Sequence, residues 1–550
     1  MIPAQLTGAC PEVRPATEAD AVGGVRPQFV AEPASTEEAG ALLRAAAGLG
    51  LAVVPRGGGT RLDWGVPPRR CDLVVDTRRL NRVLEHAAGD LVARVQAGVP
   101  LDRLSQVLGS AGQRLAVDAP AARAPGSSGA PGDPGPSGNS SAPGSSSTPQ
   151  ATQATDIPAR PGRPGTVGGL IATGVAGPLR LRFGSPRDLL IGITLIRADG
   201  TIARAGGKVV KNVAGYDIGK LLAGSYGTLG LITEATFRLH PRPPAAAYVS
   251  LACPPGAAGQ AASALLTAAN SRLAPVAAEL DWPGQDAPVT IAVALEGDAD
   301  GVAERAALMH DLLAGAMNGR AAGNGGRAGR PAAAPAAMVT PDAGAPGAGS
   351  PDESTPGAGG PDVSTEPPPW WGHGPAAESE GTVLRIAFWA GQLAAVLTAI
   401  RAAAAETGLE PAVGGSAAAG VLHASLPDAA PADAVARFVT RLRAALASGP
   451  PASASPPAPA GPPASATPPG PAGQPAAPVP PGTPAPGGSV PPGTAGPPAR
   501  GSVVVLTAPQ QVQEAVDMWG PAPAVELMRA VKDQFDPEHR MSPGRFVGGI

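Results

Sequence analysis

Three long stretches of this chain have no means of packing, and they fix how the rest can fold. They run from Ala119 to Arg163, from Asn318 to Glu380 and from Ala444 to Ala499, and all are rich in Pro, Gly, Ala and Ser. The third carries no charged or aromatic residue. None repeats apolar positions at a helical or strand period, so none buries enough surface to offset the entropy of ordering it. They are expected to be disordered insertions in surface loops. Closure entropy grows only logarithmically with loop length, so a folded domain tolerates them. They hold much of the 75 Gly and 68 Pro of a 550-residue chain with 3% aromatics.

What remains has two styles. From Phe29 to His240 the text is strand-like and punctuated by glycine. A helix is expected over STEEAGALLRAAAGLG, capped by Ser35 or Thr36 with Glu38 in its first turn. Strands are expected at LAVVP, CDLVVDT and LVARVQAGV, with a helix at LDRLSQVLGSAG. RDLLIGITLIRADGTIAR reads as a hairpin turning at Asp199–Gly200. From Ala247 onward strands and helices alternate, which implies a sheet covered by helices on one face. The chain ends in an amphipathic helix and a Pro- and Gly-rich tail.

The motif with the most chemistry is Pro55-Arg56-Gly57-Gly58-Gly59-Thr60, directly after LAVVP. Three successive glycines let backbone N–H groups converge into a nest for a phosphate or pyrophosphate. Thr60 offers a hydroxyl, and Arg56 or Arg61 a charge. A second cluster is Gly165-Thr166-Val167-Gly168-Gly169, followed by Thr173 and Gly177; a third runs from Gly224 through Ile232 to Glu234. Each alone could be turns and bulges. The loop is neither Rossmann nor Walker in type: no GxGxxG follows a strand, and Gly215 to Leu221 is one residue short of a P-loop. Glu296-x-Asp298-x-Asp300-Gly301 has Ala307 where a calcium loop needs its bidentate ligand, so it reads as a capped helix start.

Several classes are excluded or disfavoured. A net charge of −3 gives no footprint for nucleic acid. Cys10, Cys71 and Cys253 lie far apart and form no CxxC pair, so no metal or iron–sulfur site is expected in this chain. The start MIPAQLTGACPEVRP has no signal-peptide pattern, and no apolar run of membrane-spanning length occurs. A cytoplasmic protein is expected, with peripheral attachment to the inner membrane through partner subunits left open.

PRGGGT, PGTVGGLIATGVAGP, RFGSPRDLLIG and GGKVVKNVAGYDIGKLLAGSYGTLGLITEATFRLHPRP, taken together and in this order, resemble the FAD-binding domain of the vanillyl-alcohol-oxidase (PCMH-type) superfamily. VVKNVAGYDIGKL and the tail DMWGPAPAVELMRAVKDQFDPEHRMSPGRFVGGI are similar to the FAD-binding (E-type) subunit family of glycolate oxidase. The resemblance implies an α+β fold: a two-subdomain FAD domain over 22–243, a ferredoxin-like α/β cap over 244–520, and a segment over 521–550 that returns to the FAD domain. It implies FAD bound by Arg56, Gly57, Gly58, Gly59 and Thr60 at the pyrophosphate. Gly165, Thr166, Gly168, Gly169, Thr173 and Gly177 would line the ribityl and pyrophosphate path, and Ile232 would meet the adenine end. Relatives with covalent flavin often carry His where this chain has Thr60, so non-covalent FAD is expected. Ser542-Pro543-Gly544 stands where the family tail usually reads Asn-Pro-Gly.

Such a chain would oxidise a 2-hydroxy acid, glycolate to glyoxylate, together with a D-type FAD-linked subunit and an iron–sulfur subunit. The residues leave two alternatives: an assembly subunit whose D-type partner does the chemistry, and a stand-alone FAD oxidase of another alcohol. No catalytic residue is assigned. His423 stands alone on a strand and reads as structural; Lys208, Lys211, Asn212 and Tyr216 could face the flavin or solvent; Trp370 and Trp371 carry no expected role.

Overall fold

The computed structural model describes residues 1–118, 165–207, 218–317, 360–375, 381–448 and 501–550. The first unit has two sheets. Strands β1 (Val13–Pro15), β2 (Phe29–Ala31), β3 (Val53–Arg56) and β4 (Leu73–Asp76) form the first, in the order β1-β2-β4-β3 with β2, β4 and β3 parallel. Helices α1 (Ala4–Ala9) and α2 (Thr36–Gly48) cover it through Leu6, Leu42, Leu43 and Ala46. Ser35 caps α2: its hydroxyl accepts from the Glu38 amide at 3.0 Å.

The second sheet holds β5 (Val83–Ala87), β6 (Val92–Gln96), β8 (Leu190–Ile196), β9 (Ile202–Gly206) and β10 (Leu231–Arg238), in the antiparallel order β5-β6-β10-β8-β9. A ribbon pairs β7 (Gln113–Arg114) with β11 (His240–Pro241). The expected hairpin joins β8 to β9: Gly200 takes φ +80°, and Asp199 accepts from the Thr201 amide at 2.9 Å. Helices α3 (Leu101–Gly109) and α4 (Val167–Thr173) pack Leu104, Leu108, Val167 and Ile171 on this sheet. Three one-turn helices complete the unit: α5 (Arg180–Phe183), α6 (Pro186–Leu189) and α7 (Gly219–Leu222).

The second unit is one eight-stranded antiparallel sheet. Its strands are β12 (Ala245–Cys253), β13 (Ala277–Trp282), β14 (Val289–Gly297), β15 (Asp362–Ser364), β16 (Val383–Phe388), β17 (Ala412–Gly415), β18 (Val421–Ser425) and β19 (Gly501–Thr507). Helices α8 (Ala258–Ala269), α9 (Ala299–Met317), α10 (Leu393–Thr407) and α11 (Ala432–Ser448) connect them. The order β15-β12-β14-β13-β17-β18-β16-β19 is two β-α-β-β-α-β units side by side, each with strand order 4-1-3-2. The helices bury one sheet face: Leu265, Val396, Leu397 and Phe438 meet Leu280, Leu384, Ile386 and Leu422. Asp298 accepts from the Gly301 amide at 2.8 Å, so that acidic run caps α9.

Two boundaries of the expected insertions are corrected. Residues 360–375 lie inside the second stretch, yet Asp362–Ser364 pairs with Tyr248–Ser250 as the fourth strand of the first β-α-β-β-α-β unit. Its hydrogen bonds come from β12, so no local periodicity announces it. Residues 444–448 of the third stretch are the last turn of α11, where Leu446 is buried against the core. The rest of these stretches lies outside the described residues: 119–164, 318–359, 376–380 and 449–500. The two later tracts occupy the same place in the repeat, between its second helix and its fourth strand.

The end of the chain, with α12 (Gln510–Ala515) and α13 (Val525–Phe535), returns to the first unit. Val53 donates to Arg540 O at 2.8 Å, and Ser542 donates back to Val53 O at 2.8 Å. No helix among the described residues is long and apolar enough to cross a membrane.

Candidate functional site

The strand β3 delivers the glycine run to the floor of a cleft. Arg56 through Thr60 line it, together with Thr166, Gly168, Gly169 and Thr173 of α4 and its cap, and Tyr226 and Ile232 from the third glycine cluster. The backbone N–H groups of Gly57, Gly58, Gly59 and Thr60 donate to no acceptor among the described residues. Gly59 takes φ +75°, a left-handed conformation that turns the run inward. A Cβ on Gly57 would stand 2.1 Å from Thr166 Oγ1, so only glycine lets the loop approach α4 this closely. A row of free donors in a cradle that side chains would fill suits a pyrophosphate.

The N-terminus of α4 lines the cleft without offering its first amides. Its first amides are already used: Val167 donates to Val99 O at 3.0 Å, Gly168 to Ala97 O at 2.7 Å, and Gly169 to Thr166 Oγ1 at 3.3 Å. Gly168 is small because a Cβ would meet Ala97 Cβ at 2.9 Å. The anion donors are therefore in the β3 loop.

Two expected binding residues lie outside the cleft lining, and a third, Arg56, lines it with its guanidinium engaged elsewhere. The Arg56 guanidinium turns away from the cleft into a buried ion-pair network, 3.0 Å from both Asp20 and Asp76. Two carboxylates pair with its guanidinium, although the residue still lines the cleft. Gly177 lies at the boundary with the second unit, where a Cβ would strike Asp118 O at 1.8 Å. Gly165 packs beside Leu101 and accepts from the Leu101 amide at 2.9 Å, outside the cleft lining. Close packing requires the glycine at 177, whereas a Cβ on Gly165 would make only ordinary contact with Leu101 at 3.4 Å. Lys208, Lys211, Asn212 and Tyr216 lie outside the described residues.

The returning tail closes one side of the cleft. Arg545 lines it, is 4% exposed, and donates to Leu62 O and Trp64 O at 2.8 Å each. Burial pushes the Arg545 guanidinium below its ordinary range. Tyr226, at φ +54°, stacks edge-on against Trp519 at 5.2 Å and lies 5.9 Å from Phe546. Arg61 stacks over Trp64 at 5.3 Å. The tail's aromatic residues gave no site signal in sequence, because their partners lie hundreds of residues away.

The second unit turns its uncovered sheet face toward the first. Glu279, Asp281, Arg385 and His423 alternate with the core positions and share this face. Helix α5 packs on it: Leu179 and Phe183 meet Ala277 and Ala294, with Trp371 against Tyr248 at 5.2 Å. Trp371 thus has a packing role that the sequence did not show. Burial pushes Glu279 up to about 8, opposed by a Ser416 hydrogen bond. Burial, with Arg385 and Arg180 adding to it, pushes His423 down to about 3. His423 is therefore neutral at neutral pH, on the sheet face opposite the core positions.

The segments around the cleft match known families. Residues 27–148 match the FAD binding domain family, and residues 511–546 match the family of FAD linked oxidases, C-terminal domain. The first segment carries the Gly57–Thr60 nest and the second carries Trp519 and Arg545. Cleft and matches together define an FAD-binding flavoprotein.

The chain is 32% identical over 228 residues to the D-2-hydroxyglutarate dehydrogenase of Xanthomonas citri pv. viticola, covering 42% of this chain and 40% of that protein. It is 31% identical over 217 residues to glycolate oxidase subunit GlcD of Bacillus subtilis, covering 40% and 38%. It is 50% identical to glycolate oxidase subunit GlcE of Escherichia coli, but over 78 residues, 14% of this chain and 22% of that one. The chain thus spans about 40% of the length of the first two and less of the third. An alkyldihydroxyacetonephosphate synthase shares the fold, with a TM-score of 0.53 at 14% identity over 95% of this chain and 78% of that one.

Proposed function

We propose that this protein is an FAD-dependent oxidoreductase that oxidises the CH–OH group of a small 2-hydroxy acid, as the FAD-binding subunit of a glycolate oxidase-type complex. The observation that carries the reading is the row of free amides from Gly57 to Thr60, lying in the segment that matches an FAD-binding domain. Bound FAD supplies the two-electron acceptor. The chain's own part is to hold the pyrophosphate on those amides, with Thr60 and Thr166 hydroxyls beside them, and to close the cleft with Tyr226 and Arg545. Thr60 stands in the Gly57–Thr60 loop where relatives with covalent flavin often carry His, so FAD would be held non-covalently. The reading includes a D-type flavoprotein subunit and an iron–sulfur subunit as partners, and a cytoplasmic location.

A second reading is supported by the high identity to GlcE over a short segment. In it the chain binds FAD for assembly, and a GlcD-like partner carries the chemistry.

The test is an absorbance spectrum of the purified chain, acid precipitation, then anaerobic addition of glycolate, D-lactate or D-2-hydroxyglutarate. Free FAD released by acid and bleaching by one of these acids support the first reading. Yellow protein bleached by none of them, alone or with its partner subunits, sinks it. A colourless protein that cannot be loaded with FAD sinks both.

A further inference from the structure

A second cavity adjoins the FAD cleft where the tail returns. Its volume is about 410 Å³, and Arg69, Trp519, Arg529, Phe546 and the Gly548–Gly549 turn line it. Both arginines rest on that turn. A Cβ on Gly549 would stand 2.3 Å from Arg69 Nη2, and one on Gly548 would stand 3.3 Å from Arg529 Nη2. The two glycines are left-handed, at φ +69° and +76°. Side chains there would fill the space that the guanidinium groups occupy.

The two cations are committed differently. Arg529 pairs with Glu526 at 2.6 Å and donates to Gly548 O at 3.1 Å. Arg69 is exposed, and its guanidinium makes no salt bridge or hydrogen bond to any described residue. Asp517 also lines the cavity, but its carboxylate accepts from the Trp519 amide at 3.1 Å. The indole N–H of Trp519 is buried and has no acceptor among the described residues. The wall therefore offers an uncommitted guanidinium, an unmet N–H donor and two aromatic rings.

The cavity and the cleft share an aromatic wall. Tyr226 lines the cleft and packs against Trp519 at 5.2 Å and Phe546 at 5.9 Å, and those two rings meet at 4.9 Å. Arg545 lines the cleft, and its neighbour Phe546 lines the cavity. Gly65 packs on the same wall: a Cβ there would stand 3.1 Å from Trp519 Cζ2 and 3.2 Å from Arg545 O. Close-packed groups transmit displacement, so a ligand that moves Trp519 or Phe546 also moves Tyr226 or the Arg545 backbone.

We propose that this cavity is a second ligand site, for a small aromatic ring that carries an anionic group, and that its occupancy changes how tightly the cleft holds FAD. The ring packs on Trp519 and Phe546, and the anion pairs with Arg69. The volume is in the range of pockets that hold small organic ligands. A guanidinium fork serves a carboxylate or a phosphate equally. The site stands on its own lining; only the linkage to the cleft rests on the FAD reading. That linkage is reciprocal: FAD changes the affinity for the second ligand by the same factor that the ligand changes the affinity for FAD.

The test titrates benzoate and phenyl phosphate, in separate arms, into the full chain with and without FAD, and follows binding by calorimetry. At least one probe is expected to bind, and the tighter one identifies the anion. Arg69→Gln is expected to weaken it about 5- to 10-fold, the loss of one charge-assisted partner. Arg69→Lys should keep part of the binding. Arg103→Gln, which removes the same charge from α3 outside the cavity, should bind as the wild type does. Because Arg69 is exposed and unpaired, its Gln variant should fold with an unchanged Tm. A saturating probe should change the Kd for FAD at least about fivefold. Wild-type protein that binds neither probe overturns the site, as does an Arg69→Gln variant that binds them unchanged. Cyclohexanecarboxylate binding as tightly as benzoate overturns the role of the aromatic wall, and a Kd for FAD that does not move overturns the linkage. A colourless protein that binds a probe through Arg69 would sustain this site and remove the FAD reading; yellow protein that binds neither probe would do the reverse.

Discussion

The ammonium of Lys532 donates to the carbonyl oxygen of Thr228 at 2.6 Å, across 304 residues of sequence. It also reaches Met541 O at 2.8 Å and the Asp536 carboxylate at 2.7 Å. Lys532 and Asp536 are fully buried. Asp536 in turn accepts from the amides of Arg540 and Met541 at 3.0 and 2.7 Å. One ion pair therefore fixes the returning tail, and with it Arg545, against the loop that carries Tyr226.

Asp536→Ala leaves the Lys532 charge buried without its counter-charge. The expected cost is about 3–5 kcal/mol, read as a lower midpoint in thermal or urea unfolding. Replacing both partners by apolar residues, Lys532→Met with Asp536→Leu, should restore much of the loss. A single variant as stable as the wild type would show that the pair does not hold the tail.

Gly57→Ala tests the cradle. Its Cβ must displace Thr166 Oγ1, which stands 2.1 Å away, or push the loop off α4. The purified variant is expected to hold FAD at least about tenfold more weakly, equivalent to about 1.4 kcal/mol. Flavin content after gel filtration measures it. Because the clash is with a hydroxyl, Gly57→Ala combined with Thr166→Ala should recover part of the binding.

Arg56→Gln removes the cation between Asp20 and Asp76. Two buried carboxylates then lose their shared buried cation, Asp20 keeping only the half-exposed Arg14 and Asp76 only Arg78, at an expected cost of about 3 kcal/mol. The hydrogen bond from Arg14, with help from Arg56, holds the Asp20 carboxyl well below its ordinary range. A depressed acid contributes stability at neutral pH that is lost as pH falls through its folded value. Wild-type protein should therefore lose part of its Tm in strong acid, and Arg56→Gln should show a smaller acid-dependent loss.

Glu279 has the opposite sign. Its folded value is raised to about 8 from an ordinary 4.5. The proton it holds stabilises the fold fully below the ordinary value, and that contribution is lost as pH climbs through about 8. Tm should fall between pH 5 and pH 9, and Glu279→Gln, which cannot ionise, should flatten that slope. An unchanged slope would mean that Glu279 is not the buried acid responsible.

Much of this protein is legible in its sequence, and the legible parts are local. The Ser35 cap, the Asp199–Gly200 turn, the Asp298 helix start and the glycine nest after β3 each depend on residues within a few positions of one another. The alternation on β13, β16 and β18 says that Glu279, Arg385 and His423 lie opposite the core positions. It does not say what that face meets. Only the tertiary structure gives Arg56 to Asp20 and Asp76 rather than to a phosphate, sets Gly177 against Asp118, and pairs Asp362–Ser364 with β12. The reason is physical: a side chain's charge is spent on whichever group lies nearest in space, and residues hundreds of positions apart decide which group that is.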